Sequence, residues 1–451
     1  MTVEIPHTED RVYGIRRGRR RGAILSAAVA EFARWGYDAA STNRMAKSAQ
    51  VAKGLLFRHF GSKQDLFNAA LEWACERLFP TEDEPLPADP FARLEEFLTR
   101  RCARLAAHPV EAWFVARFRG RLHSVLSPPA RRIDEHYSRL RSRFREGVDT
   151  RAFRSGVEPR AAIELLAMVA EGFENQALDG LAEVLATDGL HAAASVANPE
   201  DARLRARALA DLLRHGLYRP GTHPGARPVS LDPKPFFAAL ERLAPAVQAA
   251  DERRERILRA AQELFAERGY NGTSAEAVAE RAGVAKGLIF HHFGSKAELY
   301  LASVADAAAR ISKVFFERED GPEPDLIRRL LNWTRRKTLI FQEQPTLYGL
   351  VLAALAQPPE GAREALQQYV AEATQRGWEL IMDGVDTTSF RPDVEPAQAV
   401  QLVMMVTDTL ADRLLVELSS HPQKGLNLLP SITEQTAVYL ELLRDGLAAP
   451  R

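Results

Sequence analysis

The chain has 451 residues, and its 60 basic and 60 acidic side chains give a formal net charge of zero. This length exceeds one ordinary hydrophobic core and suggests two domains, while the balanced charge must be read locally before it says anything about partners. The two cysteines, Cys75 and Cys102, are too few for a disulfide scaffold and lack metal-ligand spacing, so we expect buried thiols. No signal-peptide pattern or bilayer-length apolar run is present, so we expect a cytoplasmic protein without a membrane partner.

A run of arginines stands near the start of the chain. Residues 1–15 are polar and expected to be loose, and they are followed by RRGRRRG at 16–22, which includes Arg19, Arg20 and Arg21. Basic arms of this kind lie along phosphates or enter a minor groove. A solvated tail is the alternative interpretation.

The pattern after the arginines predicts a helix-turn-helix. Apolar residues from Ile24 to Phe32 follow the one-sided spacing of an amphipathic helix, which Gly36 ends. Ser41 and Thr42 are suited to cap a second helix, and a short turn near Gln50 leads to a third helix over about 52–60. Gly61-Ser62 ends the third helix, and Lys63 begins a fourth. Two short helices joined by a tight turn, after a supporting helix, are typical of DNA-binding heads.

The side chains of the third helix suit nucleic acid. Lys53, Arg58 and His59 project from one short helix, where cations and hydrogen-bond donors reach base edges and phosphates. Lys63 stands close to a helix start, whose free N–H groups favour a phosphate. Phe60 is expected in the core, and Phe57 is left divided between packing and DNA contact.

The string from Phe32-Ala33 and Gly36-Tyr37 through VAKGLLFRHFGSK (51–63) resembles the N-terminal domain of TetR-family transcriptional regulators. In that family, a capped helix is followed by K-G-x-x-Y/F-x-H-F-x-S-K. The resemblance implies an all-α fold in which a three-helix DNA-binding head precedes a helical body for ligand binding and dimerisation. It also implies contacts to the DNA backbone from Thr42, Phe57, His59 and Lys63, with Asn43, Lys53, Gly54 and Arg58 nearer the bases and Ser41 beside them.

Helical periodicity continues beyond the first head. We expect helices over 66–79, 91–107, 110–125, 130–148, 158–185 and 201–218, with breaks at TEDEPLPADP (81–90) and Ser127-Pro128-Pro129. The resemblance implies that 158–182 and 201–218 form a four-helix bundle with a partner. A Pro- and Gly-rich linker starts at Arg219 and has an extended reach of roughly 50 Å. A short amphipathic segment over 236–247 follows it.

The second half repeats the first. VAKGLIFHHFGSK (284–296) repeats the motif of 51–63, and 23 of 44 positions are identical between residues 24–67 and 257–300. GVDTRAFRSGVEP (147–159) likewise matches GVDTTSFRPDVEP (384–396), so the helical body is duplicated too. The stretches 399–418 and 432–447 then correspond to the last two helices of the first half. We expect head 1 at 16–66, body 1 at 67–218, a linker with a short helix at 219–250, head 2 at 251–299 and body 2 at 300–451.

The second head differs in chemistry. Its candidate DNA-contacting residues are Ser274, Glu276, Lys286, Gly287, Phe290, His291, His292 and Lys296. Thr273 and Glu276 have the spacing of a capping box, and Gly283 replaces Gln50 in the turn. Adjacent histidines point about 100° apart on a helix, so we expect no metal at His291-His292. The net charge is +9 over residues 16–63 but +1 over 249–296, so the first head is predicted to bind DNA more strongly.

The sequence supports a ligand-responsive DNA-binding regulator, most simply a repressor, whose two halves pair within one chain on unlike half-sites. Its expected partners are an operator in double-stranded DNA and a small-molecule effector. The alternative is a sensor or interaction protein in which only head 1 binds DNA and head 2 serves dimerisation or protein contact. No catalytic motif is visible, so we expect neither an enzyme nor a cofactor. Aromatic residues that are candidates to line a pocket, though core packing explains them as well, are Trp113, Phe114, Phe118, Trp333, Phe341 and Tyr348.

Overall fold

The chain forms two compact units, one containing Met1–Arg214 with Leu447–Arg451 and the other containing His215–Gly446. The computed structural model describes residues 8–79, 85–119, 128–187, 199–220, 252–317, 323–356, 358–420 and 422–448. Within these ranges the protein is all-α, and its extended pairing is limited to isolated bridges. None of the helices described is both long and apolar enough to cross a membrane.

The helices of the first unit follow the order that the sequence predicts. They are α1 (Thr8–Ala39), α2 (Thr42–Ser48), α3 (Lys53–Phe60), α4 (Lys63–Leu78), α5 (Pro90–Ala107), α6 (Pro109–Arg119), α7 (Pro128–Arg145), α8 (Pro159–Thr187) and α9 (Pro199–His215).

The second unit repeats this order. Its helices are α10 (Glu252–Gly272), α11 (Ala275–Ala282), α12 (Lys286–Phe293), α13 (Lys296–Glu317), α14 (Leu326–Glu343), α15 (Pro345–Ala356), α16 (Arg363–Met382), α17 (Pro396–Ser420) and α18 (Pro422–Asp445). Apart from residues 219–220, the linker and its predicted short helix lie outside the described residues.

The first helix starts well before the predicted position. We expected residues 1–15 to be loose and the helix to begin near Ile24, but α1 already includes residues 8–15 and the arginine run. Arginine is a good helix former, so the run extends the helix instead of preceding it as an arm. The predicted stop at Gly36 is confirmed, because the helical path breaks there at φ 73°.

Proline begins several helices that were predicted to start later. Pro90 opens α5 after Asp89, whose carboxylate accepts hydrogen bonds from the N–H groups of Phe91 at 3.1 Å and Ala92 at 2.8 Å. Pro128 opens α7, although the sequence suggested a break there. Proline has no N–H, and the first turn of a helix needs none, so these residues start helices readily.

The last helix of the first half ends earlier than predicted. We expected it to reach residue 218, but α9 ends at His215 because Gly216 adopts φ +76°. Residues Gly216 to Tyr218 then run in extended form within the second unit. The N–H of Arg391 donates to the carbonyl of Leu217 at 2.9 Å, and the hydroxyl of Tyr218 donates to Asp325 at 3.1 Å.

The end of the second half packs in the corresponding way within the first unit. After α18, Leu447 is fully buried, its N–H donates to the carbonyl of Leu213 at 2.9 Å, and its carbonyl accepts from the N–H of Arg154 at 2.8 Å. The N–H of Ala448 donates to the carbonyl of Arg214 at 3.0 Å. Each unit is therefore completed by a segment from the end of the opposite repeat.

Head and body share one core in each unit. In the first, Phe32 of α1, Phe67 of α4 and Phe114 of α6 form an aromatic cluster with ring centroids 5.0 to 6.2 Å apart. In the second, Phe265 of α10 packs edge-on against Tyr300 of α13 at 5.0 Å. Because helices of the body pack directly on helices of the head, a shift in the body reaches the head without a flexible joint.

Candidate DNA interface and ligand cavity

The first head is the helix-turn-helix that the sequence predicts. Ser41 caps α2, and its hydroxyl accepts a hydrogen bond from the N–H of Arg44 at 3.4 Å. Gln50 forms the turn with φ +54°, the only positive φ outside glycine among the described residues. Helix α3 then runs to Phe60 and stops at Gly61. The structure thus places α3 where the second helix of such a motif reads DNA.

The predicted contact residues of the first head are divided between exposed and half-buried positions. Phe60 is buried as expected, and Phe57 is half-buried against the core. The exposed side chains are Asn43, Lys53 and Arg58, and the half-buried ones are Ser41, Thr42, His59 and Lys63. Lys63 donates from Nζ to the carbonyl of Asp38 at 3.1 Å and lies 5.0 Å from the ring of Tyr37.

A glycine on each recognition helix leaves its surface open. A side chain added at Gly54 or at Gly287 would meet no heavy atom within 4 Å. Glycine inside a helix costs about 1 kcal/mol relative to alanine. Open space at such a position allows a close approach of DNA to the helix backbone.

The arginine run lies beside the recognition helix. Arg20 and Arg21 are exposed, and the guanidinium of Arg21 stands 5.6 Å from the ring centroid of Phe60. Nothing is described of the side chain of Arg19. The run therefore adds cationic surface next to α3 from a helical segment rather than from an extended arm.

The second head keeps this scaffold but corrects one expectation. Ser274 is the cap of α11, accepting from the N–H of Ala277 at 3.1 Å, so the predicted capping box of Thr273 with Glu276 is wrong. Thr273 is buried, and its hydroxyl is hydrogen-bonded to the carbonyls of Leu264 at 3.0 Å and Gly269 at 2.9 Å. The chain enters α11 one residue later than assumed, which frees Glu276 for another contact.

Glu276 forms an ion pair with Lys286, the lysine that begins the second recognition helix. The hydrogen bond from Lys286 lowers the pKa of the exposed Glu276 carboxyl. The aligned residues of the first head are Asn43 and Lys53, and within the described ranges no carboxylate is paired with Lys53. The central lysine is thus locally neutralised in the second head alone.

The other predicted contact residues of the second head lie on α12 and at the start of α13. Phe290 is 41% exposed, His291 is exposed, His292 is half-buried, and Lys296 stands 4.3 Å from the ring of Tyr270. No group of three or more His, Cys, Asp or Glu side chains suited to a metal occurs in the part of the chain that the structure describes.

The second unit contains a large cavity. It has a volume of about 580 Å³ and is lined by residues of α13 to α18. Its wall is mainly apolar and includes Phe315, Trp333, Tyr348 and Leu380. Of the six aromatic residues proposed from the sequence, Trp333 and Tyr348 line this space.

Polar groups cluster in one part of that wall. Lys337 and Asp408 both line the cavity, together with Thr338 and Thr433, whose hydroxyls are hydrogen-bonded to one another at 2.5 Å. Lys337 lines the cavity, and its side chain is exposed rather than packed into the core. Desolvation by the surrounding protein lowers the pKa of Lys337, and the charge of Asp408 partly opposes that shift.

In the described part of the first unit, the equivalent space is reduced to about 20 Å³ among Phe97, Tyr137, Leu140, Phe144 and neighbouring residues. A buried ion pair occupies it: Arg101 donates to the carboxylate of Glu174 at 2.5 and 3.1 Å, and the hydroxyl of Tyr137 donates to Glu174 at 2.9 Å. Both side chains of the pair are less than 10% exposed.

Matching contacts align the two bodies residue by residue. Arg93 donates to the carbonyl of Phe144 at the end of α7, and Arg329 donates to the carbonyl of Ile381 at the end of α16. This register pairs Arg101 with Lys337, and the GVDT repeat pairs Glu174 with Ala411. Leu140 is likewise paired with Gly377. The second unit has smaller residues at these positions, which opens the cavity and leaves Lys337 without the glutamate.

This asymmetry was present in the sequence, but the aromatic residues did not reveal it. Phe114 and Phe118 pack with Phe67 between head and body, and Trp113 adjoins the same core. The informative signal was the loss of side-chain volume between aligned positions, above all Glu174 to Ala411. This signal becomes visible when the helices of the first body are aligned with those of the second.

The two heads match a known family. The family model described as bacterial regulatory proteins, tetR family, matches residues 24–70 and 257–303. The chain is 52% identical over 52 residues to the HTH-type transcriptional activator FasR of Mycolicibacterium smegmatis, covering 12% of this chain and 24% of that protein. It is 44% identical over 64 residues to the HTH-type transcriptional repressor AcnR of Corynebacterium glutamicum, covering 14% and 34%. The chain thus spans about a quarter to a third of the length of these relatives.

Solved structures also resemble parts of the chain. A TetR-family regulator from Shewanella sp. PV-4 aligns with a TM-score of 0.34 at 19% identity, covering 44% of this chain and all of that one. The motif, the two family matches and the repeated helix order agree. Both heads therefore belong to the TetR family of bacterial regulatory proteins, and the family's N-terminal domain is present twice in tandem.

Proposed function

We propose that the protein is a ligand-responsive transcriptional regulator, most simply a repressor, that binds an operator in the cytoplasm as a single-chain pseudo-dimer. The observation that carries this proposal is the presence, in one chain, of two helix-turn-helix heads that are each packed on a helical body. Two-fold homodimers read near-palindromic sites, because operator symmetry mirrors protein symmetry. Two diverged heads in one chain are expected to prefer unlike half-sites.

Pairing of the two halves within the chain is supported by their ends. Leu447 and Ala448 complete the first unit, whereas Gly216 to Tyr218 complete the second. A chain that shares its segments in this way holds its halves together without a second molecule. Tethering also raises the effective concentration of one half about the other to the millimolar range.

The second unit offers a route from effector to DNA. Helix α13 begins with Lys296 in the head, and its far end contributes Phe315 to the cavity wall. Helix α15 turns Tyr348 to the cavity and Leu350 to the core shared with the head. An effector that fits best when these helices are displaced would favour a head position unsuited to DNA, since a ligand shifts only equilibria whose states it distinguishes.

A second candidate function is favoured by the Glu276–Lys286 ion pair. With its central lysine neutralised and a net charge of only +1 over 249–296, the second head has little to offer phosphates. In this version only head 1 binds DNA, and head 2 serves pairing or contacts another protein. The ligand cavity keeps its role in both versions.

Selection of binding sites from a random duplex pool tests the proposal. We expect enrichment of a site with unlike halves, bound by one chain as judged from the mass of the complex in solution. A symmetric site bound with identical base requirements in both halves would contradict the asymmetric pseudo-dimer. Absence of any enriched sequence would contradict DNA-specific regulation altogether.

A further inference from the structure

The cavity of the second unit pairs a large apolar wall with one cationic group. Its volume of about 580 Å³ lies within the range of pockets that bury small organic ligands. Lys337 is its only lysine or arginine among the described lining residues. A ligand that fills this space would cover that ammonium as well as the apolar surface, and an ammonium covered without a partner is costly.

The first unit shows what partner this position takes. Arg101, which aligns with Lys337, is held by the carboxylate of Glu174. In the second unit Ala411 stands where that glutamate would be, and within the described ranges no residue forms an ion pair or hydrogen bond with Lys337. Among the described residues, the place that a carboxylate takes in the first unit is therefore left open beside Lys337.

Asp408 is the acidic group that lines the same cavity. Its charge is felt by Lys337, yet it is not within the 4.0 Å of an ion pair. Its negative charge makes a ligand with several negative charges unfavourable in this cavity.

We propose that this cavity binds a monocarboxylate with a large apolar body, that the carboxylate pairs with Lys337 in place of the missing glutamate, and that each chain binds one molecule. The proposal deepens the regulatory function above and rests on it for its biological role. One molecule per chain follows because, among the described residues, only about 20 Å³ remains in the equivalent space of the first unit, next to the Arg101–Glu174 pair.

Matched twelve-carbon probes test this on the full chain. Titration calorimetry with dodecanoate, 1-dodecanol and dodecylamine should show dodecanoate binding most tightly at one equivalent, with 1-dodecanol kept below its solubility limit and the two ionic probes below their critical micelle concentrations. Lys337→Met should weaken dodecanoate at least about tenfold, since a charge-assisted bond is lost, and leave dodecanol nearly unchanged. Ala411→Glu should abolish dodecanoate binding by restoring the internal pair.

Other outcomes would overturn the proposal. These are equal affinity for dodecanol, tighter binding of dodecylamine, two equivalents of dodecanoate per chain, or unchanged affinity in Lys337→Met. Circular dichroism of each variant shows whether it is folded. Because the titration contains no DNA, its failure is separate from that of the regulatory function: dodecanoate that binds without altering operator affinity would contradict the regulation and leave the site intact.

Discussion

Lys286 and Glu276 form an ion pair on the exposed face of the second head, at the positions where the first head has Lys53 and Asn43. The same scaffold therefore presents a paired lysine in the second head and, as far as the described residues show, an unpaired one in the first. Neutralisation of phosphates dominates the affinity for DNA, so this difference should change how much each head contributes to DNA binding.

Releasing Lys286 should strengthen DNA binding by the second head. Glu276→Asn copies the residue of the first head, and we expect higher affinity and a slope of log K against log salt steeper by up to about 1. Fluorescence anisotropy with a selected duplex measures both. Glu280→Asn is the control, because it removes the same charge from the same helix without releasing a lysine. Equal effects of the two variants would show that only the overall charge matters.

The turn of the first head is strained where that of the second is not. Gln50 adopts φ +54°, whereas the second head places Gly283 there at φ +64°. A side chain in this region costs about 1 kcal/mol, so Gln50→Gly should stabilise the first unit by roughly that amount. The reverse change, Gly283→Gln, should destabilise the second unit. Scanning calorimetry measures both, and a lower Tm for Gln50→Gly would contradict the strain.

Both thiols should be unreactive in the native protein. Burial raises the pKa of Cys75 to about 12 and that of Cys102 to about 11, and a thiol reacts only as its thiolate. At pH 8 the folded chain should resist iodoacetamide for hours, whereas both cysteines should react within minutes in denaturant, as followed by intact mass. Rapid alkylation of the folded protein would show that these helices open readily.

The last described residues should stabilise the first unit although they follow the second body. A chain ending at Gly446 loses buried Leu447 and the hydrogen bonds of residues 447–448. We expect a loss of at least about 2 kcal/mol, a fall in Tm of about 4–8 °C by calorimetry. A chain ending at Ala448 retains these contacts and serves as the control. An unchanged Tm on ending at Gly446 would contradict their role.

Much of the heads was predictable from the sequence. Glycine stops, hydroxyl caps and apolar spacing are local signals, and they located Gly36, Ser41 and the buried Phe60 correctly. One error was local too. Ser274 caps the helix instead of Thr273, because both residues carry a hydroxyl and the sequence does not show which of them directly precedes the helix.

Long-range features were harder to predict. The crossing ends at Gly216 and Leu447 depend on which unit each segment packs against, and no local pattern encodes that choice. The cavity depends on summed side-chain volumes across six helices. The main sequence signal of the cavity is the alignment of Glu174 with Ala411. That signal can be interpreted once the structure shows that both residues line the equivalent space of their units.

The central claim is that the duplicated unit kept one scaffold but divided the contact with DNA unequally. The most direct test compares Lys53→Ala/Lys63→Ala with Lys286→Ala/Lys296→Ala in the salt dependence of operator binding. We predict that the first pair lowers the magnitude of the slope by about 1.8, for two lost phosphate contacts, while the second pair lowers it by about 0.9 or less, because Lys286 is already paired with Glu276. Equal reductions would contradict the unequal division.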